Sequence, residues 1–78
     1  MSSIEVLFFG QLAEQTNSNS ITLNGHDDIE SVKKDLIYRY PILANQHFQI
    51  ALDKEIIYEN VTLSGNHIIA LLPPYAGG

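Results

Sequence analysis

Seventy-eight residues with nine acidic and four basic side chains and no cysteine make one small acidic domain of net charge -5. At this size folding buries only roughly 60% of the unfolded surface, so one core needs nearly every apolar residue and no enclosed pocket of about 300–1,000 Å3 fits beside it. The lack of thiols excludes disulfides, thiolate nucleophiles and sulfur-ligated metals, and Lys33, Lys34, Arg39 and Lys54 are too few cations to bind a phosphate backbone, so nucleic acid is not an expected partner.

In chain order, Ile4, Val6 and Phe8 alternate with Glu5, Leu7 and Phe9 in the two-residue period of a strand that Gly10 closes. Gln11 to Gln15 suit a short helical turn, and Thr16-Asn17-Ser18-Asn19 reads as a loop. A strand over Ser20–Leu23 ends at the Asn24-Gly25 turn. Asp27 or Asp28 caps the next helix, with Glu30, three residues after Asp27, completing a capping box. In that helix Ile29, Val32, Leu36, Ile37 and Tyr40 share a face, Lys33, Lys34 and Arg39 point to water, and Pro41 stops it. After an irregular stretch from Pro41 to His47, Phe48, Ile50 and Leu52 alternate, Asp53-Lys54-Glu55 turns the chain, and Ile56-Ile57-Tyr58 completes a hairpin. Ser64-Gly65-Asn66 is a further turn, and His67 to Leu72 is an apolar strand running into Pro73-Pro74. The order fits an α+β fold, a ubiquitin-like β-grasp roll whose mixed sheet is covered on one face by a single main helix. Residues 1–72 form this domain and residues 73–78 an extended tail.

The tail, Pro73-Pro74-Tyr75-Ala76-Gly77-Gly78, is the most informative segment. Two prolines fix φ and favour an extended chain, so a stiff arm leaves the last strand. Four further residues reach roughly 13 Å at about 3.3 Å each, enough to carry a carboxylate into another protein's cleft. Gly77 and Gly78, lacking Cβ atoms, make the tip thin enough for a narrow channel.

Both alternating sets of the first and last strands are apolar, although one helix covers only one face. With Ile4, Val6, Phe8, Ile69 and Leu71 facing the helix, Leu7, Phe9, Ala70 and Leu72 point away and form an expected partner interface beside the base of the arm. Other polar groups read as structural. His26, His47 and His67 show no metal-ligand spacing and no metal is expected; Asp27 and Asp28 suit a helix cap; Asp53, Glu55 and Glu59 form a solvated face, with a basic partner surface as the sharper alternative. Gly10, Gly25 and Gly65 form no phosphate-binding loop, so the chain alone is expected to bind no cofactor. The apolar run at the N-terminus is too short for a signal peptide or a membrane span, which gives a cytoplasmic expectation with no membrane contact.

Val6-Leu7-Phe8-Phe9-Gly10, the helix, the Gly65 turn and the end Leu71-Leu72-Pro73-Pro74-Tyr75-Ala76-Gly77-Gly78 resemble the small sulfur-carrier subunit of molybdopterin synthase, in the MoaD/ThiS-like β-grasp family. The resemblance spans essentially the whole chain. Asn66 stands where relatives often carry Asp, and Ala76 where a hydroxyl residue is common. The resemblance implies no catalysis by the chain alone, but a cycle on Gly78. A ubiquitin-activating-type adenylating enzyme spends ATP to turn its carboxylate into an acyl-adenylate, a persulfide sulfur displaces AMP, and a thiocarboxylate results. The arm, Pro73 to Gly77, then threads into the large subunit of a heterotetramer, and the sulfur passes to cyclic pyranopterin monophosphate. Tethering raises the effective concentration of the sulfur at its target. The alternatives are a sulfur carrier of thiamine thiazole synthesis, a ubiquitin-like protein modifier, or a non-catalytic β-grasp interaction domain with an inert tail.

Overall fold

The structure, a computed structural model, describes residues 3–73. Its elements are β1 (Ser3–Phe8), α1 (Gln11–Thr16), β2 (Ser20–Asn24), α2 (Ile29–Arg39), a 3-10 turn (Pro41–Asn45), β3 (Gln49–Leu52), β4 (Glu55–Ile57) and β5 (His67–Leu72). The sheet runs β2-β1-β5-β3-β4, with β1 and β5 parallel at its centre and the other pairs antiparallel. This mixed sheet under one main helix is the expected β-grasp roll.

Alternation decides which face is the core. Ile4, Val6, Phe8, Ile69 and Leu71 are all buried, together with Ile29, Val32 and Leu36 of α2. Ile37 and Tyr40 pack half-buried at the edge, where the Tyr40 ring meets Phe8 edge-on at 5.5 Å. Leu12, Leu43 and Leu63, each on a short or irregular segment, close the ends of this core. Apolar burial on this one face is the main stabilising term of the domain.

Several local expectations are corrected. The cap of α2 is Asp28, whose Oδ1 accepts from the Ser31 amide at 2.9 Å while the Ser31 hydroxyl donates to the Asp28 carbonyl at 3.0 Å. Glu30 completes no capping box; its own amide donates to Asn60 Oδ1 at 2.9 Å. The cause is tertiary: the Leu63 amide donates to the Asp27 carbonyl at 2.7 Å and the Ile29 amide to the Val61 carbonyl at 3.0 Å, a short antiparallel pairing centred on Asp28 and Thr62 that keeps the chain extended through Asp28, so the helix starts at Ile29. Thr16 is not loop but the buried last residue of α1, its hydroxyl donating to the Leu12 carbonyl at 2.9 Å. The stretch after Pro41 contains the 3-10 turn, with proline at its start and Leu43 as its buried anchor. β3 begins at Gln49 rather than Phe48, and Tyr58 lies beyond β4, exposed.

Candidate functional site

β1 and β5 leave the sheet side by side. The Phe9 amide donates to the Leu71 carbonyl at 3.2 Å, carrying the parallel pairing one residue past β1. Gly10 then takes φ 59°, ψ -138°, a conformation costly for any residue with a side chain. A Cβ on Gly10 would lie 2.8 Å from Cγ of Pro73. The proline that opens the arm is thus seated on the one residue that leaves room for its ring. Of the arm residues, Pro73 is the one described; Pro74, Tyr75, Ala76, Gly77 and Gly78 lie outside the described residues.

The outer face of the sheet carries the predicted apolar set. Register places Leu7 beside Ala70, Ala70 beside Ala51 and Ala51 beside Ile56, an apolar row across β1, β5, β3 and β4. Leu7, Ala70 and Leu72 are half-buried, whereas Phe9, Ile56 and Ile68 are 44%, 43% and 48% exposed. Leu7, Phe9, Ala51, Ile68 and Ala70 line a shallow groove of about 370 Å3 with Asp53 and Lys54 at one end. The structure therefore brings Leu7, Phe9 and Ala70 together, and sets Leu72 on the same face opposite Gln49, outside the groove lining. Ile68 was legible from its alternation with Ala70 and Leu72. Ala51 and Ile56 were not, because only the hairpin register aligns them with β5.

Asp53, Glu55 and Glu59 are all exposed, as expected of a solvated face, and Asp53 in addition bonds across to β5. Its Oδ1 accepts from the Ile68 amide at 2.9 Å and its Oδ2 lies 2.7 Å from His67 Nδ1. The Ile68 amide first, and His67 second, hold the Asp53 carboxyl below its usual 3.8. In return the Asp53 bond holds His67 above its usual 6.5, against the opposing effect of burial and with help from Ser64. His26 lies 3.1 Å from the Ser31 hydroxyl through Nδ1 and 2.7 Å from Asp35 Oδ2 through Nε2, and Arg39 Nε donates to Asp35 Oδ1 at 2.8 Å. Burial pushes the Asp35 carboxyl up, but the bonds from Arg39 and His26 outweigh it and leave it lowered. These groups brace α2. Among the described residues no three His, Asp or Glu side chains gather into a metal-holding group, and no helix is long and apolar enough to cross a membrane.

Known structures share this architecture over nearly the full length. The subunit 1 and 2 complex of molybdopterin-converting factor from Helicobacter pylori contains a chain that matches at TM-score 0.74 and 26% identity, covering 97% of this chain and 99% of that one. The small archaeal modifier protein SAMP1 of Haloferax volcanii matches at TM-score 0.81 and 22% identity, covering 97% and 99%. SAMP1 of Methanosarcina acetivorans matches at 0.82 and 21%, covering 100% and 98%. The model of the ThiS family matches residues 6–78, from within β1 to the last glycine. The chain belongs to the ThiS family, with the MoaD/ThiS-like β-grasp fold of sulfur carriers.

Proposed function

We propose that the chain is the sulfur-carrier subunit of a molybdopterin synthase and that Gly78 is the residue that carries the sulfur. One observation carries the reading: the apolar groove reaches Phe9, next to the Gly10–Pro73 seat from which the remaining arm residues depart toward Gly78. A partner docked on the outer face would stand where the arm begins. The Helicobacter pylori complex of subunits 1 and 2 supports a large subunit as that partner. An adenylating enzyme is the second partner, because a free carboxylate is a poor electrophile.

Chemically, the Gly78 carboxylate attacks the α-phosphate of ATP held by that enzyme and pyrophosphate leaves. The outer sulfur of a persulfide attacks the acyl-adenylate carbonyl and AMP leaves. A thiol then cleaves the resulting acyl disulfide, which releases the thiocarboxylate and leaves the thiol oxidised in a disulfide. Inside the large subunit the thiocarboxylate sulfur is given to cyclic pyranopterin monophosphate, and water returns Gly78 to a carboxylate. The chain supplies the tether and the docking face and is not an enzyme by itself.

The likeness to SAMP1 supports a second reading, attachment of Gly78 to lysines of other proteins. Both readings share the adenylate and divide at the acceptor. The deciding experiment supplies thiocarboxylated chain to a cognate large subunit and cyclic pyranopterin monophosphate. Molybdopterin should form, and should not form with chain lacking Gly78. Formation of lysine-linked conjugates without molybdopterin would replace the first reading with the second; sulfur delivery only to a thiazole-forming enzyme would assign the chain to thiamine synthesis.

A further inference from the structure

The loop between β3 and β4 has two residues, Asp53 at φ 49° and Lys54 at φ 79°. Turns of this type favour Asn-Gly, and neither residue here is glycine, so the loop holds a backbone conformation that needs support from outside. β5 supplies it. The Asp53 amide donates to the Ile68 carbonyl at 2.8 Å, the Ile68 amide donates back to Asp53 Oδ1 at 2.9 Å, and Asp53 Oδ2 sits 2.7 Å from His67 Nδ1. One aspartate thus grips Ile68 through both its backbone and its side chain.

His67 has two ways to finish this arrangement. Its Nε2 lies 3.0 Å from the Ser64 carbonyl oxygen and 3.3 Å from the Ser64 amide nitrogen. With Nδ1–H committed to Asp53, a neutral ring leaves Nε2 bare to accept from the amide, whereas a charged ring donates Nε2–H to the carbonyl. Both forms join the β3–β4 loop to the turn before β5, the neutral ring through the longer 3.3 Å contact with the Ser64 amide and the charged ring through charge-assisted bonds to Asp53 and to the Ser64 carbonyl at 3.0 Å. Asp53 and Ile68 both line the apolar groove, and Ile68 is its most exposed apolar member.

We propose that Asp53 and His67 form a proton-dependent latch that sets the position of Ile68 in the outer-face groove, tight when the imidazole is charged and looser when it is neutral. Its docking consequence rests on the outer face being the partner surface. The charge that favours the closed form is Asp53; Glu5 of β1 lines the same recess as His67 and Asp53, and Lys54 of the loop lines the neighbouring groove. Ser3, Thr22 and Asn66 around that recess are uncharged, as is Ile4, paired with His67 across the sheet. The Asp53 bond raises the His67 pKa, so the latch is closed below that value and opens as pH rises through it.

The test needs the free 78-residue chain alone, followed by NMR between about pH 5 and 8.5. The His67 ring should titrate with a midpoint above 6.5, and the Ile68 amide and methyl signals should move with the same midpoint. Exchange of the Ile68 amide, corrected for its intrinsic pH dependence, should quicken roughly two- to fivefold on the basic side, the size of an exposed charge-assisted contact. His67→Gln removes the titrating ring and should leave the Ile68 signals flat across this pH range. Asp53→Asn should return the His67 midpoint toward 6.5; if that variant does not fold, His67→Gln decides. Ile68 signals that stay still while His67 titrates, or that respond to pH equally in His67→Gln, would overturn the latch. Because no partner or sulfur donor is in the tube, that result leaves the carrier reading untouched, and a chain that never acquires sulfur would leave the latch standing.

Discussion

Gly10 joins the fold to the arm through the absence of a side chain. Its φ of 59° and the Pro73 ring 2.8 Å from where a Cβ would sit act in the same direction, so Gly10→Ala should combine backbone strain with displacement of Pro73. We expect a loss of about 1–3 kcal/mol, read as a lowered Tm, and weaker partner binding than the stability loss explains. Unchanged Tm and binding would show that the seat does not matter. Asp28 is the second such residue, its carboxyl held low first by the Ser31 amide, then by Asn60 and the Ser31 hydroxyl. Asp28→Ala should lower Tm, whereas Asp27→Ala, with no part in the cap, should not. Residue types announced that a cap stood near 27–28; the choice between the two depended on the pairing of Asp27 with Leu63, a contact distant in sequence. The bonds of Asp53 to β5 were hidden for the same reason, since nothing local to Asp53 marks its partners fourteen and fifteen residues away.

At the scale of elements, strand parity separates folding from docking. Leu71 is fully buried under α2 and Phe9 is 44% exposed on the opposite side. Leu71→Asp puts an unpaired charge into the core of a domain whose whole stability is about 4–12 kcal/mol, and circular dichroism should show an unfolded chain. Phe9→Asp should keep a native spectrum and a Tm within a few degrees, while binding to the large subunit, measured by calorimetry, falls at least tenfold. Unfolding by Phe9→Asp, or tight binding after it, would remove the outer face as the interface. β1, α2 and β5 were readable because each repeats a hydrophobic period over at least one full face. The 3-10 turn and the core roles of Leu12, Leu43 and Leu63 were not, because their segments are too short to show a period and each is buried by tertiary packing alone.

For the whole molecule, the titrating groups set a stability optimum. Asp28, Asp35 and Asp53 are held below 3.8 in the folded chain, so what they contribute is present above that value and is lost as pH falls through their folded values. His67, held above 6.5, contributes below that value and loses its contribution as pH rises through its folded value. Tm should therefore peak between about pH 5 and 6, fall steeply in acid and decline gently in base. A Tm that rises steadily from pH 6 to 8 would contradict the assignment of His67. The composition gives the expectation of a partner-dependent protein: a small acidic chain whose structure leaves an apolar groove on the outer face of the sheet. A tail of a few residues buries little against a standard interface of about 800 Å2 per partner, so under the proposed function the outer face is expected to carry most of the recognition. The central claim, that Gly78 carries sulfur, is tested most directly by the intact mass of the chain after incubation with a cognate adenylating enzyme, ATP and a persulfide donor. The mass should rise by the difference between one sulfur and one oxygen atom, and the increase should vanish when Gly78 is deleted. An unchanged mass under conditions that load an authentic carrier, or an equal increase in the deletion, would contradict it.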